Sequence, residues 1–159
     1  MNDRCTLDER LLSGKIGEDL FAFAAEIYPI CRSITGHGVR KTLEAIRTHI
    51  DLEIHEVPTG TKVFDWDVPR EWNVRKAYIR DQHGRKIVDF AESNLHVMSY
   101  SVPVHRWVSL VELKQHVHTL PRQPDLIPYR TSYYAENWAF CIPHRLLESL
   151  EDERYEVLI

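Results

Sequence analysis

The sequence predicts a mixed α/β protein, and three stretches carry that reading. Residues 17–57 show two helical repeats followed by an alternating strand. Residues 62–108 have the texture of a small antiparallel β module, with aromatic residues, a glycine turn and short extended runs. Residues 109–159 return to alternating helix and strand.

The elements follow in chain order. Residues 1–16 form a polar lead-in without the apolar stretch of a secretory signal. In 17–28, Leu20, Ala24 and Ile27 fall on one side of a helix, with Phe21, Ala25 and Tyr28 beside them, and Pro29 ends it. The segment from Cys31 to Gly38 is a turn whose two glycines supply unusual backbone angles. Val39, Leu43, Ile46 and Ile50 then mark an amphipathic helix over 38–50. Residues 52–57 alternate apolar and polar, as a half-buried strand does, until Pro58 and Gly60 stop them.

Residues 74–80 and 86–90 read as a hairpin around His83-Gly84, and 95–104 as a further extended stretch. Ser109 is a good N-cap for a helix over 110–117. Pro121, Pro124 and Pro128 forbid helix in the segment that follows. Residues 138–142 read as a strand and 143–150 as a helix opened by Pro143. Residues 155–159 end in three consecutive apolar side chains, the pattern of a strand covered on both faces in a parallel sheet. The covering elements for such a strand would lie beyond Ile159. The isolated chain is therefore expected to self-associate through this strand, and Val157→Lys to relieve it.

Composition limits the functional classes. Hydrophobic residues are 43% and charged residues 28%, the balance of a globular rather than a disordered chain. The net charge of −4 and the scattered basic residues argue against nucleic acid as a partner. No apolar run approaches the roughly 20 residues of a membrane span. Three widely spaced cysteines give neither a disulfide framework nor a metal knuckle, so a reducing, cytoplasmic setting is expected.

Candidate chemistry is sparse. His116 and His118 have no third ligand at metal spacing and read as surface or capping histidines. Cys31 and Cys141 could be nucleophiles, but both sit in apolar contexts where cysteine behaves as a small hydrophobe. The densest polar-aromatic cluster is Pro128-Tyr129-Arg130-Thr131-Ser132-Tyr133-Tyr134, followed by Trp138. Tyr129, Arg130, Tyr133, Tyr134 and Trp138 could line a substrate pocket, with the Arg130 fork meeting a carboxylate. Alternatively these aromatics clamp a proline-rich loop to the core.

Several low-probability words also occur in order. They include Tyr28-Pro29-Ile30-Cys31-Arg32-Ser33-Ile34-Thr35-Gly36, Thr59-Gly60-Thr61-Lys62-Val63-Phe64-Asp65-Trp66, Asn94-Leu95-His96-Val97 and Ile127-Pro128-Tyr129-Arg130. In these the chain resembles the N-terminal part of the DUF4910/DUF2172 aminopeptidase-like group, related to the zinc-dependent M28 peptidases. The resemblance implies an incomplete M28-like α/β domain over 17–61 and 109–159, with 62–108 inserted as a small β domain. It implies zinc only in the full-length family, whose ligand segments lie downstream of the position of Ile159, so no catalytic or metal residue carries over to this chain. The implied function is the N-terminal portion of an amide- or peptide-hydrolysing enzyme, inactive by itself and acting on a peptide or aminoacyl substrate only in full-length form. The rival is a non-catalytic binding module linked to polysaccharide biosynthesis.

Overall fold

A computed structural model describes residues 14–133 and 135–159. Most of the polar lead-in, Cys5 and Tyr134 lie outside these residues. The chain divides into two compact units, Met1–Arg70 and Glu71–Ile159.

In the first unit, helix α1 spans Ile16–Ile27 and α2 spans His37–Arg47. Glu18 and Asp19 in the first turn of α1 oppose the positive end of its dipole. Gly36 caps α2 at φ 107°, a left-handed angle that a side chain would strain. Arg32 links the helices by donating to the Ile27 carbonyl at 2.7 Å and to Thr42 Oγ1 at 3.3 Å. Strands β1 (Lys62–Val63) and β2 (Trp66–Asp67) form a small antiparallel hairpin.

Residues 52–57 make no ladder, contrary to the expected strand. Their burial does alternate, with Leu52 and Ile54 half-buried between exposed neighbours. Period-two patterning sets which side chains turn inward, but a strand also needs a neighbour to bond to. Among the described residues none pairs with this segment.

The second unit is a sheet with helices on one side. Its strands are β3 (Tyr78–Arg80), β4 (Lys86–Asp89), β5 (His105–Ser109) and, at the end of the chain, Arg154–Leu158. Between them come a 3-10 turn at Asn94–His96, helix α3 (Leu110–Gln115), the parallel pair β6 (Val117–His118) and β7 (Phe140–Cys141), and helix α4 (His144–Glu148). The final strand is thus β8, and the sheet order is β4-β3-β8-β5, antiparallel throughout. Ser109 caps α3 as its sequence position suggests, accepting from the Glu112 N–H at 3.2 Å. Ile79, Val88, Val108, Leu113, Phe140, Ile142, Tyr155 and Val157 form the core between sheet and helices.

The pairing of the sheet bears on two of the expectations. β8 lies inside the sheet, paired with β3 on one side and β5 on the other, so it presents no open edge and its pairing needs nothing beyond Ile159. The same pairing joins strands within 78–89 and 105–109 to 154–158 in one sheet, so segments from both sides of the expected 62–108 boundary share a sheet. Backbone pairing across the sheet, rather than the change of residue texture, sets the unit.

Three carboxylates in this unit are held below the ordinary range. Burial raises that of Asp81, but the N–H groups of Arg85 and His83 and the Arg85 guanidinium outweigh it. Lys86 and the Ala91 N–H lower Asp89, and His105 and then Arg80 lower Glu156. A carboxylate with a depressed folded pKa stabilises above its unfolded pKa and loses that contribution as pH falls through the folded value. Stability is therefore expected to be flat above about pH 5 and to fall below about pH 4, with Asp81→Asn reducing the slope. Thermal melts between pH 3 and 6 check this, and an identical slope for both proteins would contradict it.

Candidate functional site

The proline-rich loop is pinned to the segment after the 3-10 turn by backbone bonds. The Ser99 N–H donates to the Arg130 carbonyl at 2.9 Å, and the Ser132 N–H returns a bond to the Ser99 carbonyl at 2.9 Å. Ser101 Oγ donates to the Met98 carbonyl at 2.7 Å, and the Met98 N–H to the Ala139 carbonyl at 3.1 Å. With its backbone committed in this way, the loop can project side chains from a fixed base.

Between the two paired segments stands Tyr100, at φ 65° in the left-handed region that costs a bulky residue energy. Its ring stacks on Trp72 at 5.8 Å and meets the Tyr133 ring edge-on at 5.1 Å. The Trp72 indole N–H donates to the Ser101 carbonyl at 3.0 Å, fixing the residue next to the strained one. Trp72, Tyr100 and Tyr133 thus form a half-buried aromatic step, with the exposed side chains of Tyr129 and Arg130 on the same loop.

Of the five candidate residues, Tyr134 lies outside the described residues, and the other four separate. Tyr133 joins the aromatic step, while Tyr129 (68% exposed) and Arg130 face solvent. Trp138 goes to the core, stacked on His116 at 3.8 Å, with the ring Nδ1 of His116 bonded to the Trp138 carbonyl at 2.9 Å. There Trp138 is 8% exposed. Sequence reasoning missed Tyr100 as a site residue. Nothing local marks a tyrosine as left-handed, and its ring partners lie at residues 72 and 133.

Cysteine chemistry finds no support. Burial pushes the Cys141 thiol up to about 11, partly opposed by Arg130, so it is a poor source of thiolate. Burial, and then the same arginine, lower His118. Among the described residues, no three His, Cys, Asp or Glu side chains gather to hold a metal ion. The resemblance places the zinc ligands downstream of the position of Ile159, so no step through zinc is assigned to these residues.

A concavity of about 700 Å³ opens elsewhere, where the β3–β4 turn meets α4 and the start of β8. Its polar lining is largely committed to the fold. Asp81 holds the turn, and the Tyr155 hydroxyl donates to the Glu151 carbonyl at 2.8 Å. Burial and then Glu153 push that phenol up to about 12, so it remains a hydrogen-bond donor near neutral pH.

A family model described as "Domain of unknown function (DUF2172)" matches residues 71–159. The chain belongs to the DUF2172 family. The matched segment begins at Glu71, where the second structural unit begins, so the DUF2172 domain and the sheet-and-helix unit coincide. The chain is 56% identical over 147 residues to a Clostridium acetobutylicum protein described as "Putative polysaccharide biosynthesis protein with aminopeptidase-like domain". The match covers 92% of this chain and 34% of that protein. A crystal structure of a "putative peptidase" from the same organism superposes with a TM-score of 0.90 at 56% identity, covering 92% of this chain and 35% of that one. The chain therefore spans about a third of the length of the relatives it matches. Among the described residues, no helix is long and apolar enough to cross a membrane.

Proposed function

We propose that this chain is the N-terminal, substrate-shaping portion of an aminopeptidase-like hydrolase. The observation that carries the reading is the 56% identity, at a TM-score of 0.90, to a structure described as a "putative peptidase". In this reading the relatives' remaining length supplies an M28-type zinc centre, which when bound lowers the pKa of a water for attack on an amide. This chain's own residues bind and orient. The Arg130 guanidinium meets a substrate carboxylate, and the Trp72–Tyr100–Tyr133 step gives an apolar wall beside it. The 159 residues alone hold no metal and hydrolyse nothing.

The test uses a protein of the relatives' length, in which residues 1–159 replace the matched third of the Clostridium protein. There Arg130→Ala is expected to lower kcat/KM about tenfold or more, with Tm unchanged, because the side chain is exposed. Tyr133→Ala should cost about 2–4 kcal/mol of stability if the ring chiefly clamps the loop. Unaltered kinetics for Arg130→Ala, together with a large stability loss for Tyr133→Ala, would leave the loop a clamp and remove it from the pocket.

A second reading has its own support. The DUF2172 unit has a core closed by its own strands and helices. Such a unit can act as a non-catalytic binding module, and a relative's description connects it with polysaccharide biosynthesis.

A further inference from the structure

The sheet has one face on the core; on the other, Tyr78 (5% exposed) and Glu156 (6% exposed) are buried beneath neighbouring side chains while His105 and Trp107 are exposed, and register assigns each side chain. Tyr78 lies opposite Asp89 and Leu158, and Leu158 opposite His105. Arg80 lies opposite Lys86 and Glu156, Glu156 opposite Trp107, and Arg154 opposite Ser109. Cross-strand partners share a face, and so do alternate residues along a strand. Tyr78, Arg80, Glu156, His105, Trp107 and Arg154 therefore stand on the outer face, away from Ile79, Val108 and Val157.

Three cations converge there on one ring. Lys76 Nζ, Arg80 Cζ and Lys86 Nζ lie 5.2, 5.5 and 5.6 Å from the centroid of Tyr78. Two carboxylates compensate in part: Arg80 pairs with Glu156, which also takes His105 at 2.8 Å, and Lys86 pairs with Asp89. Counting Arg154, four permanent cations face two carboxylates, in a protein whose net charge is −4. At the ring itself three cations face two carboxylates, Arg80 and Lys86 being ion-paired, so the excess is one positive charge, with Arg154 farther along β8; an anion would relieve that excess. Trp107 stands on the same face, two strands away and 43% exposed. Two strand spacings are about 10 Å, the reach of two linked sugar rings.

We propose that this outer face binds an anionic saccharide of two or more residues. Its acid group sits among Lys76, Arg80 and Lys86, and the C–H face of a neighbouring ring stacks on Trp107. Both parts are needed. An isolated inorganic anion would use the cations and leave the indole idle, and a neutral sugar would do the reverse. The basic residues form a compact cluster rather than a track along a polyanion backbone, which separates this face from a nucleic-acid groove. The proposal is independent of the hydrolase reading, because none of these residues belongs to the 128–138 loop.

The whole chain is titrated with digalacturonic acid, a neutral disaccharide, inorganic phosphate and a single-stranded oligonucleotide, with amide chemical shifts followed by NMR. Digalacturonic acid is expected to shift the outer-face residues, and the neutral disaccharide to bind at least tenfold more weakly. Lys76→Ala and Trp107→Ala should each weaken binding about tenfold while the melting temperature holds, and Val111→Ser, on exposed helix surface, should change nothing. No shifts at millimolar digalacturonic acid would overturn the proposal. So would phosphate binding as tightly as the disaccharide, insensitivity to Trp107→Ala, or a preference for the oligonucleotide.

Discussion

Val157→Lys is expected to abolish the folded state of residues 71–159. Val157 is 0% exposed and lies opposite Ile79 on β3 and Arg106 on β5, in the interior of the four-stranded sheet. A lysine there places an ammonium in the apolar cluster that holds Val88, Val108 and Phe140. An unpaired buried charge costs more than about 4 kcal/mol, a large part of the roughly 5–15 kcal/mol that holds a domain of this size. The sequence alone suggests the reverse, that this change would cure an exposed strand edge. Loss of amide-shift dispersion and of a cooperative melt is the expected result. A melt within a few degrees of the parent would show that β8 is not an interior strand.

Gly38→Ala should produce the largest effect in the first unit. Replacing glycine by alanine in a helix ordinarily stabilises it by up to about 1 kcal/mol. Gly38 is the second residue of α2, and a Cβ there would sit 1.9 Å from the carbonyl oxygen of Cys31 and 2.8 Å from its carbon. Both are backbone atoms and cannot rotate aside. Either α2 or the Cys31 turn must shift, at about 2–4 kcal/mol. Gly17 in α1 has open space at the same test, so Gly17→Ala is the control and should be neutral or stabilising. Peptide-resolved alkylation reads the local damage at Cys31, whose half-buried thiol is pushed up by burial. Faster alkylation is expected in Gly38→Ala alone; equal rates in both variants would contradict the close approach.

Local features were readable from sequence where their causes are local. Helices α1 and α2 follow their apolar periodicity within two or three residues, and the Ser109 cap forms as its residue type requires. The turn from Cys31 to Gly38 was recognisable by its glycines, but the reasons differ. Gly36 supplies a left-handed angle, whereas Gly38 supplies room. Sheet order was not readable, because β8 finds Arg80 across 76 residues of chain. Three consecutive apolar residues at the end suggested a strand buried on both faces. In the sheet, Tyr155 and Val157 point to the core while Glu156 and Leu158 point outward, and Glu156 is buried by Arg80 and His105 rather than by a covering helix. The site was half readable. Aromatic density marked the loop bearing Tyr133, but its partners Trp72 and Tyr100 become visible only once the loop is bonded to residues 98–101.

The hydrolase reading is tested most directly by release of amino-terminal residues from a panel of peptides and aminoacyl amides. The proteins compared are the zinc-loaded Clostridium relative, the same protein with residues 1–159 of this chain in place of its matched third, and this chain alone. The relative and the chimera are expected to cleave, to lose activity on chelation and to regain it with zinc, while the isolated chain stays inert. A folded relative and a folded chimera that cleave nothing in the panel, with or without zinc, would contradict an aminopeptidase-like function and leave the DUF2172 unit as a binding module.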